Sequence, residues 1–230
     1  MNSKHKKIMR KAMLFQGIND KEYDTLISCL SPQIKLFSKN EILLLTGSSI
    51  NHVGIVLSGT ASAYLEHANG NKTLISNLAP MSVLGEVLAS TRAHLSPVTV
   101  YAASDLMVAF IEREKIYAMC QAACSAHRKF SQNILKSIGD KYFYLFDRIA
   151  ILREKTLRAK ITAYLYSLSE NGKITTVTIP YSKTMLADYL LANRSALSKE
   201  LRKMEDDGLI TVSGRQITRN ESPESHGMKL

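Results

Sequence analysis

The chain reads as an α+β protein: short strands forming a sandwich or barrel, then one long helix, then a helix-turn-helix flanked by strands. Three observations predict this. Between Gln33 and Glu112 apolar residues come in short β-rich runs parted by turn residues. From about Ser125 to Lys155 the apolar period becomes helical and proline is absent. Near the C-terminus two amphipathic segments flank the three residues Leu191-Ala192-Asn193.

Residues 1–31 are polar with a helical pattern, and Asn19 or Asp20 is placed to cap a helix over Lys21–Leu30. The β-rich runs follow: Ile34–Phe37, Ile42–Leu45, Val53–Leu57, Ala61–Leu65, Thr73–Leu78, Val98–Ala102 and Leu106–Ile111. Thr46-Gly47, Ser58-Gly59, Asn69-Gly70-Asn71 and Ala79-Pro80 supply turns between them. Seven or eight short strands at this spacing suit a sandwich or barrel.

In the long helix Leu135, Ile138, Tyr142, Leu145, Ile149 and Leu152 follow one another at steps of 3, 4, 3, 4 and 3. That heptad spacing predicts a seam against a helix of a second copy, hence a homodimer. Phe143, Phe146 and Ala150 form a second stripe, expected to face the chain's own β domain. The alternative, one long helix buried inside a monomer, explains the strict spacing less well. Residues 156–170 form a further helix. Ile174–Ile179 and Leu209–Thr218, with Gly214 in a turn, read as strands beside the helix pair, which makes it winged. The tail Asn220–Leu230 is polar and expected to be loose. The expected division is 1–124, 125–154, 155–219 and a tail 220–230.

Ser182 suits the N-cap of the first short helix and Asn193 that of the second, while Gly208 marks where the second stops. Leu197, Leu201 and Met204 share the inner face of the second helix; Arg194, Ser195, Ser198, Lys199 and Arg202 fall on the other side. Set in a major groove, such a helix presents Arg194, Ser195 and Lys199 to base edges. Arginine and lysine donate to guanine O6 and N7, and serine discriminates less. Ser182, Thr184, Ser198, Arg202 and the wing residue Arg215 suit phosphates, which fix register without reading sequence. The charge agrees. The net charge is +10, with 12 Lys/Arg against 9 Asp/Glu in residues 1–125 and 18 against 11 in residues 126–230. A basic C-terminal half suits a polyanion, and double-stranded DNA is the partner implied.

Leu186-Ala187-Asp188-Tyr189-Leu190, Asn193–Leu201 and Asp207-Gly208-Leu209-Ile210 resemble the DNA-binding domain of Crp/Fnr-type transcriptional regulators. The resemblance continues through Arg153–Ile161, Val56-Leu57-Ser58-Gly59, Leu84-Gly85-Glu86 and Pro97-Val98-Thr99-Val100. It implies an antiparallel, jelly-roll-like β-roll of the cyclic-nucleotide-binding type, a long dimerisation helix and a winged helix-turn-helix. Two positions depart from the pattern. Leu191 stands where many such turns have glycine, which implies a strained or altered turn. Ser195 stands where some relatives carry a glutamate that accepts from cytosine, which implies a different half-site.

In cyclic-nucleotide-binding relatives an Arg-Ser pair after the Gly-Glu turn grips the phosphate. Here that place falls on Ser96-Pro97, which lacks the guanidinium and one backbone donor and so argues against cyclic AMP. Gly85, Glu86, Arg92, His94, Ser96 and Tyr142 remain as candidate contacts for a small organic effector whose identity is unknown. An iron–sulfur cluster needs about four cysteine ligands; Cys29, Cys120 and Cys124 are three, so that reading is disfavoured. Cys120, Cys124 and His127 would share a helical face and could bind metal or sense oxidation, although buried cysteine more often acts as a small hydrophobe.

Other classes fit poorly. A cupin-like metalloenzyme would draw on His52, His67 and His94, which include no His-x-His pair, so no enzyme is expected. A cyclic-nucleotide-binding-type subunit acting on a protein partner would not need the helix-turn-helix. No apolar run approaches the ~20 residues of a membrane span, and the basic Met1–Lys7 is not followed by a signal-type core. Three cysteines in a chain this long do not make a disulfide framework. A cytoplasmic protein without membrane contact is expected, and activation would add RNA polymerase as a partner.

Overall fold

The computed structural model describes residues 3–91, 95–117, 125–170 and 172–220. The chain divides into two compact units, Met1–Phe143 and Tyr144–Leu230. The first opens with helix α1 (Ser3–Met9), a single 3-10 turn (Met13–Phe15) and α2 (Asp20–Leu30). Asn19 caps α2 as expected, accepting from Glu22 N at 2.9 Å while Glu22 Oε2 accepts from Asn19 N at 3.2 Å.

Among the described residues eight strands follow: β1 (Gln33–Phe37), β2 (Ile42–Leu44), β3 (His52–Ser58), β4 (Ala61–Glu66), β5 (Lys72–Leu78), β6 (Val83–Leu84), β7 (Thr99–Ala102) and β8 (Leu106–Glu112). Helix α3 (Glu86–Ala89) follows β6, and α4 (Arg113–Tyr117) follows β8. The strands make two antiparallel sheets, ordered β1-β8-β3-β6 and β2-β7-β4-β5. Val56, Ala61, Val100, Ala102 and Val108 of the two sheets share one core, which is the sandwich expected. A second core, with Phe15, Leu26, Ile55, Ile111 and Phe130, joins the other side of the first sheet to the helices. β3 is therefore apolar on both faces and reads as a continuous run. Only the two-residue β6 goes unseen in the sequence; it pairs with Gly54 and Ile55.

Helix α5 (Ser125–Arg153) has 29 residues, about 44 Å at 1.5 Å per residue. In the first unit it buries Ala126, Phe130 and Ile134, and Asn133 Nδ2 donates to the carbonyls of Leu14 and Gln16 at 3.0 and 2.9 Å. Ile138 packs at the edge of the same core. The stripe expected to face the β domain does not do so, since Phe143, Phe146 and Ala150 are all exposed. Phe130 and Ile134 serve instead, one turn apart on a different face.

The second unit holds the C-terminal end of α5, α6 (Leu157–Leu168), β9 (Thr176–Thr178), α7 (Lys183–Tyr189), α8 (Arg194–Asp206), β10 (Ile210–Ser213) and β11 (Gln216–Arg219). The strands form an antiparallel sheet ordered β10-β11-β9, the wing. Its core gathers Ile151, Ile161, Leu165, Leu186, Leu197, Leu201, Met204 and Ile217. Tyr144, Tyr164, Tyr181 and Tyr189 cluster among them; burial pushes the Tyr144 hydroxyl up to about 12. Ala187 is buried, as a close helix approach requires. Among the described residues no helix is long and apolar enough to cross a membrane.

Candidate nucleic-acid interface

Ser182 caps α7, its Oγ accepting from Met185 N at 3.3 Å. The turn that follows is a Schellman motif: Ala192 N donates to Ala187 O at 2.9 Å and Leu191 N to Asp188 O at 3.2 Å. Such a turn needs a left-handed residue, and Leu191 takes that place with φ 52°. The strain expected of leucine here is therefore present. Asn193 stands at the N-cap position of α8 without a side-chain capping bond. α8 ends in a second Schellman motif, with Leu209 N on Met204 O and Gly208 N on Glu205 O, both at 2.9 Å, and Gly208 at φ 72°.

With Leu197, Leu201 and Met204 buried, the opposite face of α8 is set outward. Arg194, Ser195, Lys199 and Arg202 are exposed and Ser198 is half-buried. Ser182 and Thr184 are exposed at the head of α7, and Arg215 at the tip of the wing beside Gly214. Glu200 and Glu205 of α8 and its C-capping Asp207 are drawn elsewhere. Arg158 of α6 holds Glu200 through Nε and Asp207 through Nη1, both at 2.6 Å. Those two hydrogen bonds also raise the guanidinium pKa, Glu200 first. Glu205 accepts from Val212 N at 2.8 Å, tying the helix to the wing. Neither clamp is visible in the sequence, because the partners of Arg158 lie 42 and 49 residues away.

Of the candidate effector residues of the roll, Glu86 and Ser96 are engaged in internal bonds. Gly85 adopts φ 82°, and a Cβ there would stand 2.7 Å from His52 O. Glu86 is wholly buried; its Oε1 accepts from Ser137 Oγ at 2.8 Å and pairs with Lys141 Nζ at 2.6 Å. Lys141 also donates to Val83 O at 2.8 Å. Among the described residues Glu86 Oε2 has no hydrogen-bond partner. Ser96 Oγ donates to Val98 O at 2.6 Å. Tyr142 is exposed on α5, about 100° round the helix from Lys141, so one copy does not bring it to Glu86. Arg92, His94, Cys120 and Cys124 lie outside the described residues. His127 is described, and burial lowers its pKa. A network the sequence did not suggest lies on β4, β5 and β7: Glu66 accepts from Tyr101 OH at 2.7 Å and Thr99 Oγ1 at 2.9 Å and pairs with Lys72 at 2.8 Å. Those bonds, Lys72 first, hold the Glu66 carboxyl down at about 2.

Comparison with known proteins converges on this arrangement. Residues 34–123 match the cyclic nucleotide-binding domain and residues 159–221 the Crp-like helix-turn-helix domain. The chain belongs to the Crp/Fnr family of transcriptional regulators. The transcriptional activator FnrL of Cereibacter sphaeroides is 22% identical over 78% of this chain and 73% of its own length. The anaerobic regulatory protein of Haemophilus influenzae is 21% identical over 89% and 79%. A CooA mutant from Carboxydothermus hydrogenoformans shares the fold, with a TM-score of 0.70 at 20% identity, over 93% of this chain and 94% of that one. Crp/Fnr regulators bind DNA through the helix-turn-helix, so the exposed face of α8 belongs to the DNA-binding part of the chain. A cyclic phosphate fits the described residues of the roll poorly: Ser96 spends its hydroxyl on Val98, Pro97 has no N–H, and Glu86 already takes up Lys141.

Proposed function

We propose that the chain acts as a homodimer, as a regulator and not an enzyme, reading a palindromic duplex site. Arg194, Ser195 and Lys199 read base edges, and Ser182, Thr184, Ser198, Arg202 and Arg215 hold phosphates. The observation that carries this reading is the outward face of α8: its cations are exposed while Glu200, Glu205 and Asp207 are bonded elsewhere. The second copy enters through α5, where Leu135, Tyr142, Leu145 and Ile149 are exposed. Residues 1–124 serve as sensor, 125–154 as dimerisation helix and 155–219 as DNA-binding domain. A small organic effector at the roll shifts the population of dimers whose recognition helices stand about 34 Å apart, one turn of DNA. An activator would add a contact with RNA polymerase.

Selection of random duplex DNA by effector-free protein at near-physiological salt tests this. The expected result is an enriched palindrome with half-sites one helical turn apart. Failure to bind any duplex, at low or physiological salt, overturns the reading.

A further inference from the structure

Arg158 grips α8 twice. Its Nε donates to Glu200 Oε1 and its Nη1 to Asp207 Oδ2, both at 2.6 Å. The two carboxylates stand seven residues apart, so they are about 10 Å apart along the helix axis but only about 20° apart around it. They lie on one flank of the buried line Leu197–Leu201–Met204. Glu205 lies on the other flank, where it accepts from Val212 N at 2.8 Å. α8 is thus braced on both sides, while Ser195, Lys199 and Arg202 point away from the buried line.

The local helix does not ask for an arginine here. Thr156 caps α6, its Oγ1 accepting from Ala159 N at 3.1 Å. Arg158 therefore sits in the first turn, where the helix dipole disfavours a cation. Its Nη2 is buried with no hydrogen-bond partner among the described residues, which opposes stability further. What the position supplies is a fixed point of support. α6 is anchored by the buried Ile161, Tyr164 and Leu165, and a planar guanidinium donates in set directions, as a lysine does not. Direction matters for base reading. Apolar contact is non-directional, so the buried line decides which face of α8 turns inward but sets its roll less finely than hydrogen bonds do. A roll of about 20° would carry a side-chain tip roughly 6 Å from the axis about 2 Å sideways. A flexible side chain on a phosphate can follow such a shift, whereas a donor set against a base edge loses its geometry.

We infer that Arg158 is a positioning residue for sequence reading: through Glu200 and Asp207 it fixes the roll of α8, and selectivity among DNA sequences depends on it. The inference rests on the reading that α8 meets base edges, and it names what holds the helix there. The test uses full-length protein and compares the palindrome recovered by selection with an unrelated duplex at one salt concentration. Two variants break the same clamp with opposite changes in charge. Arg158→Met removes a positive charge, and Glu200→Ala combined with Asp207→Ala removes two negative ones. In both, the ratio of affinities for the two duplexes is expected to fall about tenfold, the worth of one good base contact, while the circular dichroism stays that of the parent. If affinity falls on both duplexes alike in Arg158→Met and rises on both alike in the alanine pair, with the ratio kept, the clamp acts through charge alone and the inference is overturned. If only one variant folds, the same ratio measured on it decides. If neither folds, Arg158 is a structural residue and the inference is overturned. A parent with no preference between the duplexes overturns base reading itself, and the role of the clamp with it.

Discussion

The outward face of α8 and the acidic side chains of the roll treat charge in opposite ways. On α8 Arg194, Ser195, Lys199 and Arg202 stand in solvent, while Glu200, Glu205 and the C-capping Asp207 are bonded to Arg158 or the wing. In the roll, Glu86 and Glu66 are each matched to a lysine and to hydroxyl donors. A face whose charge is left uncompensated attracts a polyanion from solution, and its affinity follows ionic strength. Where charges are already paired, no net charge is offered to a ligand, and any effector must compete with bonds already made. The comparison thus separates a part built to meet its partner from a part that must be opened or supplemented to meet one.

The sharpest way to break it is at Glu86. Lys141→Met leaves a buried carboxylate without its cation, at a cost of roughly 2–3 kcal/mol, toward the low end for buried pairs because the lysine is partly solvated. Urea unfolding should show that loss, and Glu86→Gln in the same chain should restore most of it. A loss below about 0.5 kcal/mol, the range of ordinary surface changes, would mean that the roll is not held by this pair. On α8 the expected loss is in binding and not in folding. Lys199→Ala should cost about 1–3 kcal/mol of affinity, concentrated at one base-pair position, whereas Arg202→Ala should weaken all sequences alike and lower the salt slope by about one. Equal loss on every sequence for Lys199→Ala would move that residue to the phosphates. Both variants should unfold like the parent, because their side chains are exposed.

A smaller effect should follow from pH. The Glu66 carboxyl is held at about 2 against an ordinary value of 4.5. Its contribution is therefore present above 4.5 and is lost as pH falls toward 2. Relative to Glu66→Gln, the parent should lose stability across that window and not above it; thermal unfolding from pH 5 to 2.5 measures this. Parallel curves would show that the network is screened by solvent.

Much of this was legible in the sequence because it depends on neighbours in the chain. The strand runs, the N-cap at Asn19, the Ser182 cap and the left-handed turn at Leu191 are all local rules, and each appears where expected. The outward set on α8 followed from helical period alone. The Arg158 clamp and the Lys141–Glu86 pair were not legible, since they join residues 42 to 55 positions apart with no periodic signal. The stripe of Phe143, Phe146 and Ala150 was expected against the β domain and is exposed instead, because helical period shows that a face is apolar but not which part of the chain covers it.

The smallest expected effect compares the two helix ends of the DNA-binding part. α7 and α8 close in the same pair of hydrogen bonds, with left-handed residues at φ 52° and 72°. One is leucine and the other glycine. A Cβ costs roughly 1–2 kcal/mol in this conformation, and glycine returns about 0.5–1 of that through its freer unfolded chain. Leu191 is 56% exposed, so little apolar burial is at stake. Leu191→Gly should therefore stabilise the fold by about 0.5–1 kcal/mol. Gly208→Ala should destabilise it by a similar amount through the backbone alone, because a Cβ at Gly208 meets nothing within 4 Å. If Leu191→Gly raises the melting temperature and leaves DNA affinity unchanged, the leucine is strain the fold simply tolerates. If it raises the melting temperature but weakens DNA binding, the strained turn is what holds the head of α8 at the angle binding requires. The exposed face of that helix would then depend on the turn before it as much as on its own side chains.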